Sequence, residues 1–211
     1  KAQAAFLAPF ILASLLDLKA PLRLWPIPLA TYAVAMVPAW LAGWPAMHLA
    51  TVYLRQVAYD DGAGSASNPW IFMDVLAPQA ASRYFWMGYG AAAVAGMAIV
   101  LAARARRAPA DWLALAVLSS LLLPWLLPQM HERFFFLADV LSLAWAYAAG
   151  TRRSVAVAAL IQAASFLALI GAVFEIPALP MIGSALSLAA VVLLARKAGF
   201  KRPAISACPA V

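Results

Sequence analysis

Apolar residues in this chain come in long runs separated by polar breaks. The runs cover Ala4–Leu18, Leu24–Ala42, Tyr84–Ala103, Ala110–Leu127, Phe134–Gly150, Ser154–Phe174 and Ile176–Ala195. Most approach the ~20 residues that a helix needs to cross the hydrocarbon core of a bilayer. The pattern predicts an all-α protein, a polytopic transmembrane bundle of about seven spans. The first run is short. The second contains Pro26, Pro28 and Pro38, so an irregular start and a kink are expected there. Residues 1–199 form one transmembrane helical domain on this reading, and residues 200–211 a polar tail.

Only one break is long, Gly43–Arg83. Its first part places Leu49, Val52, Tyr53 and Val57 at helical spacing, with His48, Thr51 and Arg55 among the polar positions. That predicts a short amphipathic helix lying in the membrane surface. Asp60-Asp61-Gly62-Ala63-Gly64-Ser65 reads as a polar turn. Asn68-Pro69-Trp70-Ile71-Phe72-Met73 then turns apolar again, as a segment returning to the interface would. Trp70, Trp86 and Trp112 suit interfacial anchoring.

Composition supports the membrane reading. The 211 residues are 66% hydrophobic and 11% charged, against about 25% charged in soluble domains. The net charge of +7 does not mark a nucleic-acid binder, because the cations cluster at the ends of apolar runs. Lys19 and Arg23, the Arg104-Arg106-Arg107 group, Arg152-Arg153, and Arg196, Lys197, Lys201 and Arg202 hold most of the 15 cations. These clusters alternate with breaks that carry few. The positive-inside rule then puts the rich set and the C-terminal tail in the cytoplasm. Lys1, the long break, the turn around His131 and the turn at Glu175 fall outside. No charged n-region with a cleavage site precedes the first run, so a signal peptide is not expected. The start at Lys1 fits the C-terminal portion of a longer polypeptide. The lone cysteine, Cys208, excludes an internal disulfide and a cysteine metal cluster.

Candidate chemistry concentrates in Pro128-Gln129-Met130-His131-Glu132-Arg133-Phe134, a short gap between two apolar runs. Ionisable groups beside hydrocarbon are costly, and three different ones in a row invite a functional reading. Charges snorkelling at a helix end are the plain alternative. Arg133 offers a fixed fork of donors suited to phosphate. His131 suits donation to phosphate or proton shuttling, and Glu132 suits orienting the other two or acting as a base. Asp139 follows within the next run, nearly two helical turns on, so the two carboxylates share a face if the helix is continuous. For Asp139, a neutral acid bonding a neighbouring helix is favoured over a direct catalytic role. Asp60 and Asp61 read as a solvated turn before half of a metal site, and His48 as a residue of the interfacial helix. Two histidines do not build a His-rich zinc site. No cofactor is expected; a divalent metal stays open as an alternative that these residues do not support. Gly62 and Gly64 follow no strand, so a nucleotide-binding loop is not supported.

The stretch from Pro128 through Gln129, Met130, His131, Glu132, Arg133, Phe134, Phe135 and Phe136, with Ala138-Asp139-Val140-Leu141 after it, resembles the late His-Glu-Arg segment of bacterial polytopic glycosyltransferases of the GT-C superfamily. These are similar to enzymes that take mannose or glucose from a polyprenyl-phosphate carrier. The long outer break with Ser67-Asn68-Pro69-Trp70 also fits, and Lys1 and Gln3 weakly match a Lys/Gln pair before a late span. The resemblance implies inverting transfer on the non-cytoplasmic face of a bacterial inner membrane, from a polyprenyl-phosphate-sugar donor held partly in lipid. His131 and Arg133 would bind the donor phosphate and stabilise it as it leaves, Glu132 would act in catalysis, and Gln129 and Asp139 are secondary candidates. The acidic base of this superfamily lies in its first outer loop, which has no counterpart after Lys1. The fragment alone is therefore expected to be inactive, and the preceding part of the polypeptide to be a needed partner.

Two other classes compete. A transporter or flippase of lipid-linked glycans predicts charged or broken spans at the bilayer midplane. A non-catalytic membrane scaffold predicts that the His131-Glu132-Arg133 trio tolerates substitution.

Overall fold

The computed structural model describes residues 2–17, 21–56, 66–77, 81–103 and 109–198. All regular structure among them is helical. A 3-10 segment, Ala2–Leu7, leads into α1 (Ala8–Asp17); α2 (Ile27–Leu41), α3 (Ala46–Gln56) and α4 (Trp70–Leu76) follow. Then come α5 (Phe85–Ala102), α6 (Pro109–Leu126), α7 (Phe136–Ala149), α8 (Arg152–Val173) and α9 (Ala178–Ala198). Lys1, Lys19, the Asp60–Ser65 turn, Arg104, Arg106, Arg107 and the 200–211 tail with Cys208 lie outside the described residues.

Among the described residues, four helical segments are long and apolar enough to cross a membrane: Leu22–Leu41, Phe85–Ala102, Arg152–Val173 and Ala178–Arg196. Ala5–Asp17 and Asp111–Leu126 are shorter apolar helices, and α7 has 14 residues. Local chemistry accounts for two of the short ones. Pro9 stands where the first run changes from 3-10 to α geometry. The fifth run opens as a 3-10 turn, Glu132–Phe135, before α7 begins.

α6 is the central helix. Ala114, Leu115, Val117 and Leu121 on it are buried, and it packs against α1, α5, α7 and α9. Phe135, Ala138 and Trp145 around α7, Val157 and Ile161 of α8, and Ala190 and Leu194 of α9 complete the core. α8 and α9 form the most extensive pair. They are joined by a tight turn in which Glu175 takes φ +54 and the Ile176 N–H reaches Gly171 O at 3.0 Å.

The α7–α8 turn has a local explanation. Gly150 takes the left-handed conformation, φ +58, that closes a helix C-terminus. Thr151 then caps α8, its hydroxyl accepting from Ser154 N while Ser154 Oγ accepts from Thr151 N.

α2 buries no residue in this bundle. It pairs with α3, where Tyr32 Oη donates to Leu49 O at 3.0 Å. The short helix expected around His48 is α3. The tryptophans divide. Trp86 is well exposed, whereas Trp112 packs edge-on against Phe10 and Trp70 is bonded into the bundle.

That bonding belongs to an inserted segment. Ala66, Ser67 and Asn68 are almost fully buried. Ser67 Oγ donates to Ala164 O of α8 at 2.9 Å, and Asn68 Nδ2 donates to Leu127 O at 3.2 Å. Trp70 Nε1 donates to Leu126 O at 2.8 Å. The carbonyls at a helix C-terminus have no partner within the helix, and here the returning break supplies donors for those of α6. The segment packs into the helical bundle, where its donors meet these backbone acceptors.

Candidate functional site

The Pro128–Arg133 turn begins where α6 ends. Pro128 is fully buried. A Cβ added at Gly88 of α5 would meet Leu126 O and Pro128 Cδ, each at 2.8 Å, so a residue without a side chain lets the turn lie against α5. Gln129 takes φ +58, uncommon for a residue with a side chain. Its Oε1 accepts from Tyr89 Oη of α5 at 2.9 Å.

His131 stands extended, φ −102 and ψ 162, at the head of the 3-10 turn. Phe134 N donates to His131 O at 3.0 Å. A 3-10 turn eclipses side chains three residues apart, and the His131 and Phe134 rings stack with centroids 6.1 Å apart and an interplanar angle of 27°. The Arg133 guanidinium carbon lies 6.0 Å from the centroid of that ring. Phe6 meets it edge-on at 6.0 Å. One aromatic side chain thus carries both His131 and Arg133 and ties them to the 3-10 segment before α1. Phe6 is itself anchored, because Ser119 Oγ of α6 donates to Phe6 O at 2.6 Å.

Glu132 and Arg133 also line a cavity of about 550 Å³ between α7 and α8, together with Phe136, Asp139, Gln162, Ser165, Phe166 and Leu169. Glu132 and Asp139 therefore open onto one space. Ser165 Oγ donates to Asp139 Oδ1 at 2.7 Å. Gln162 Nε2 donates to Asp139 O at 3.0 Å, and Ser142 Oγ to the same carbonyl at 2.9 Å. Gln162 and Ser165 stand three residues apart on α8, a spacing that puts both on one face. Of the lining residues, Asp139 is half-buried and Arg133 exposed.

The sequence candidates separate in space. Glu132, Arg133 and Asp139 share the cavity. His131 and Gln129 do not line it; the first faces Phe134 and the second faces α5. Phe134, Gln162 and Ser165 join the site without having been singled out. Phe134 counts in the sequence as the opening residue of an apolar run. Gln162 and Ser165 carry a signal, two polar residues at i and i+3 inside an apolar span, but only the α7–α8 packing gives it a partner. Among the described residues, no group of three or more His, Cys, Asp or Glu is placed to hold a metal ion.

No family model, curated protein or solved structure matches this chain. The reading of the site rests on its own chemistry: a guanidinium and an imidazole fixed on one ring, beside a cavity with two carboxylates, an amide and aromatic walls.

Proposed function

We propose that this chain is part of a membrane glycosyltransferase that moves a hexose from a polyprenyl-phosphate-linked donor to an acceptor. On this reading about seven segments span a bacterial inner membrane, the C-terminus is cytoplasmic and transfer occurs on the opposite face. The observation that carries the proposal is Arg133, which lines the cavity between α7 and α8 and, with His131, lies against the Phe134 ring.

The chemistry follows from the groups present. The acceptor hydroxyl attacks the anomeric carbon, the bond to the phosphate oxygen breaks, and polyprenyl phosphate leaves with the extra negative charge. Fixed donors aimed at that oxygen stabilise the transition state more than the ground state. Arg133 stays charged at any working pH and offers a planar fork of donors. His131 adds a second donor. Glu132 orients the pair or handles the acceptor proton.

The test is transfer by the full-length protein in reconstituted membranes. Arg133→Ala removes a charge-assisted contact worth about 1.5–3 kcal/mol, so transfer falls about tenfold or more while insertion is retained. Arg133→Lys keeps the charge without the fork and recovers part of the loss. Full activity in Arg133→Ala removes the assigned role.

One observation favours a second reading. Asp139, Gln162 and Ser165 form a polar cluster inside apolar helices, which a flippase of lipid-linked glycans would also use. That reading predicts movement of lipid-linked glycan across vesicles with no change in its sugar content.

A further inference from the structure

The cavity between α7 and α8 has more structure than a phosphate contact requires. Its two carboxylates, Glu132 and Asp139, both line the space. Asp139 commits Oδ1 to Ser165, and Gln162 commits its amide N–H to a backbone carbonyl. Among the described residues, the second Asp139 oxygen and the Gln162 carbonyl oxygen have no protein donor. Beside these acceptors stand Phe136 and Phe166, with 63% and 60% of their surface exposed. The space, about 550 Å³, falls in the range of small-molecule sites, about 300–1,000 Å³.

Polar atoms among apolar helices are costly until something bonds them. A guest that suits this cavity has a hydroxylated edge to donate to Asp139 and Gln162 and an apolar face to lie on a phenyl ring. A phosphate does not qualify, since it would meet two carboxylates. A pyranose ring has both features. We infer that Asp139, Gln162, Ser165 and the Phe136/Phe166 wall form the subsite that holds the donor's hexose ring, while the exposed Arg133 meets the phosphate. This assignment rests on the glycosyltransferase reading and adds residues to it. Ser165 is a positioning residue, since its hydroxyl sets which Asp139 oxygen is available.

The experiment measures binding of two probes to the full-length protein in nanodiscs: polyprenyl phosphate, and the same carrier loaded with mannose or glucose. The wild type should bind one loaded carrier more tightly than the bare one. Asp139→Asn and Phe166→Ala should each weaken the loaded carrier about tenfold, the scale of one charge-assisted hydrogen bond or one buried ring contact, and leave the bare carrier unchanged. Phe166 is exposed, so its variant folds even if Asp139→Asn does not. Equal weakening of both carriers, or no weakening of either, overturns the sugar subsite. A separate arm tests the underlying reading: Arg133→Ala should weaken both carriers. If it weakens neither while Asp139→Asn still discriminates, the phosphate role falls and the sugar subsite stands. If the wild type binds neither carrier, both fall.

Discussion

Trp70 donates its indole N–H to the carbonyl of Leu126 at 2.8 Å, and so joins the second half of the long Gly43–Arg83 break to the end of α6. Asn68 does the same for Leu127. The turn that carries His131, Glu132 and Arg133 starts one residue later. The break is therefore part of the support for the candidate site.

Trp70→Phe keeps the ring and removes the donor. Leu126 O is left without that bond in a packed environment, at a cost of about 1–3 kcal/mol. Thermal unfolding of the purified protein in detergent should show a lower Tm for Trp70→Phe, with Trp86→Phe on the exposed side near wild type. Equal Tm values for Trp70→Phe and wild type would mean that the contact does not support the fold.

Gly183 of α9 lies where Ser67 and α8 converge. A Cβ there would meet the Ser67 side chain and stand 2.9 Å from Ala164 O. Backbone does not give way cheaply, so Gly183→Ala should cost about 1–3 kcal/mol, the range for overpacking a core. Around Gly90 of α5, by contrast, a Cβ would meet nothing within 4 Å. Gly90→Ala should be neutral or stabilising by up to about 1 kcal/mol, the gain in helix propensity. The pair of melting curves reads the difference directly.

Phe134 carries His131 and Arg133 together. Phe134→Leu retains apolar bulk but loses the ring face, and a cation–π contact is worth about 0.5–2 kcal/mol. Transfer by the full-length protein should fall severalfold, to about tenfold, while Phe134→Tyr stays near wild type. A Phe134→Leu enzyme with unchanged kcat/KM would show that His131 and Arg133 do not need the ring.

Thr151→Ala removes the hydroxyl that accepts from Ser154 N at the start of α8. A loss of about 1 kcal/mol is expected, seen as a lower Tm with transfer per folded molecule unchanged. Thr151→Ser should keep most of the stability, because the serine hydroxyl can accept the same bond.

Much of the helical layout was legible in the residues. The break between the fifth and sixth runs falls at residues 151–153 in the sequence and at Gly150-Thr151 in the fold, because glycine closure and threonine capping act within one turn. The lengths were less legible. The fifth run reads as one apolar stretch, yet its first residues form a 3-10 turn that stacks His131 on Phe134. Hydropathy does not distinguish 3-10 from α geometry. The role of Asn68 was hidden too, since a polar residue before Pro69 reads as a turn, and its partner at Leu127 lies 59 positions away.

By itself, the sequence determined an all-helical protein with segments apolar enough for a membrane, and it marked the short turn where a cation, an imidazole and a carboxylate stand in a row. Run length, caps and charge spacing are local properties, and a chain carries them without its fold. Only the tertiary structure decided which of those groups meet. Asp139 finds Ser165 across 26 positions and Ser67 finds Ala164 across 97. Those pairings depend on how α7, α8 and α9 are rotated against one another, which is set by the packing of many side chains at once and by the need to satisfy buried polar atoms.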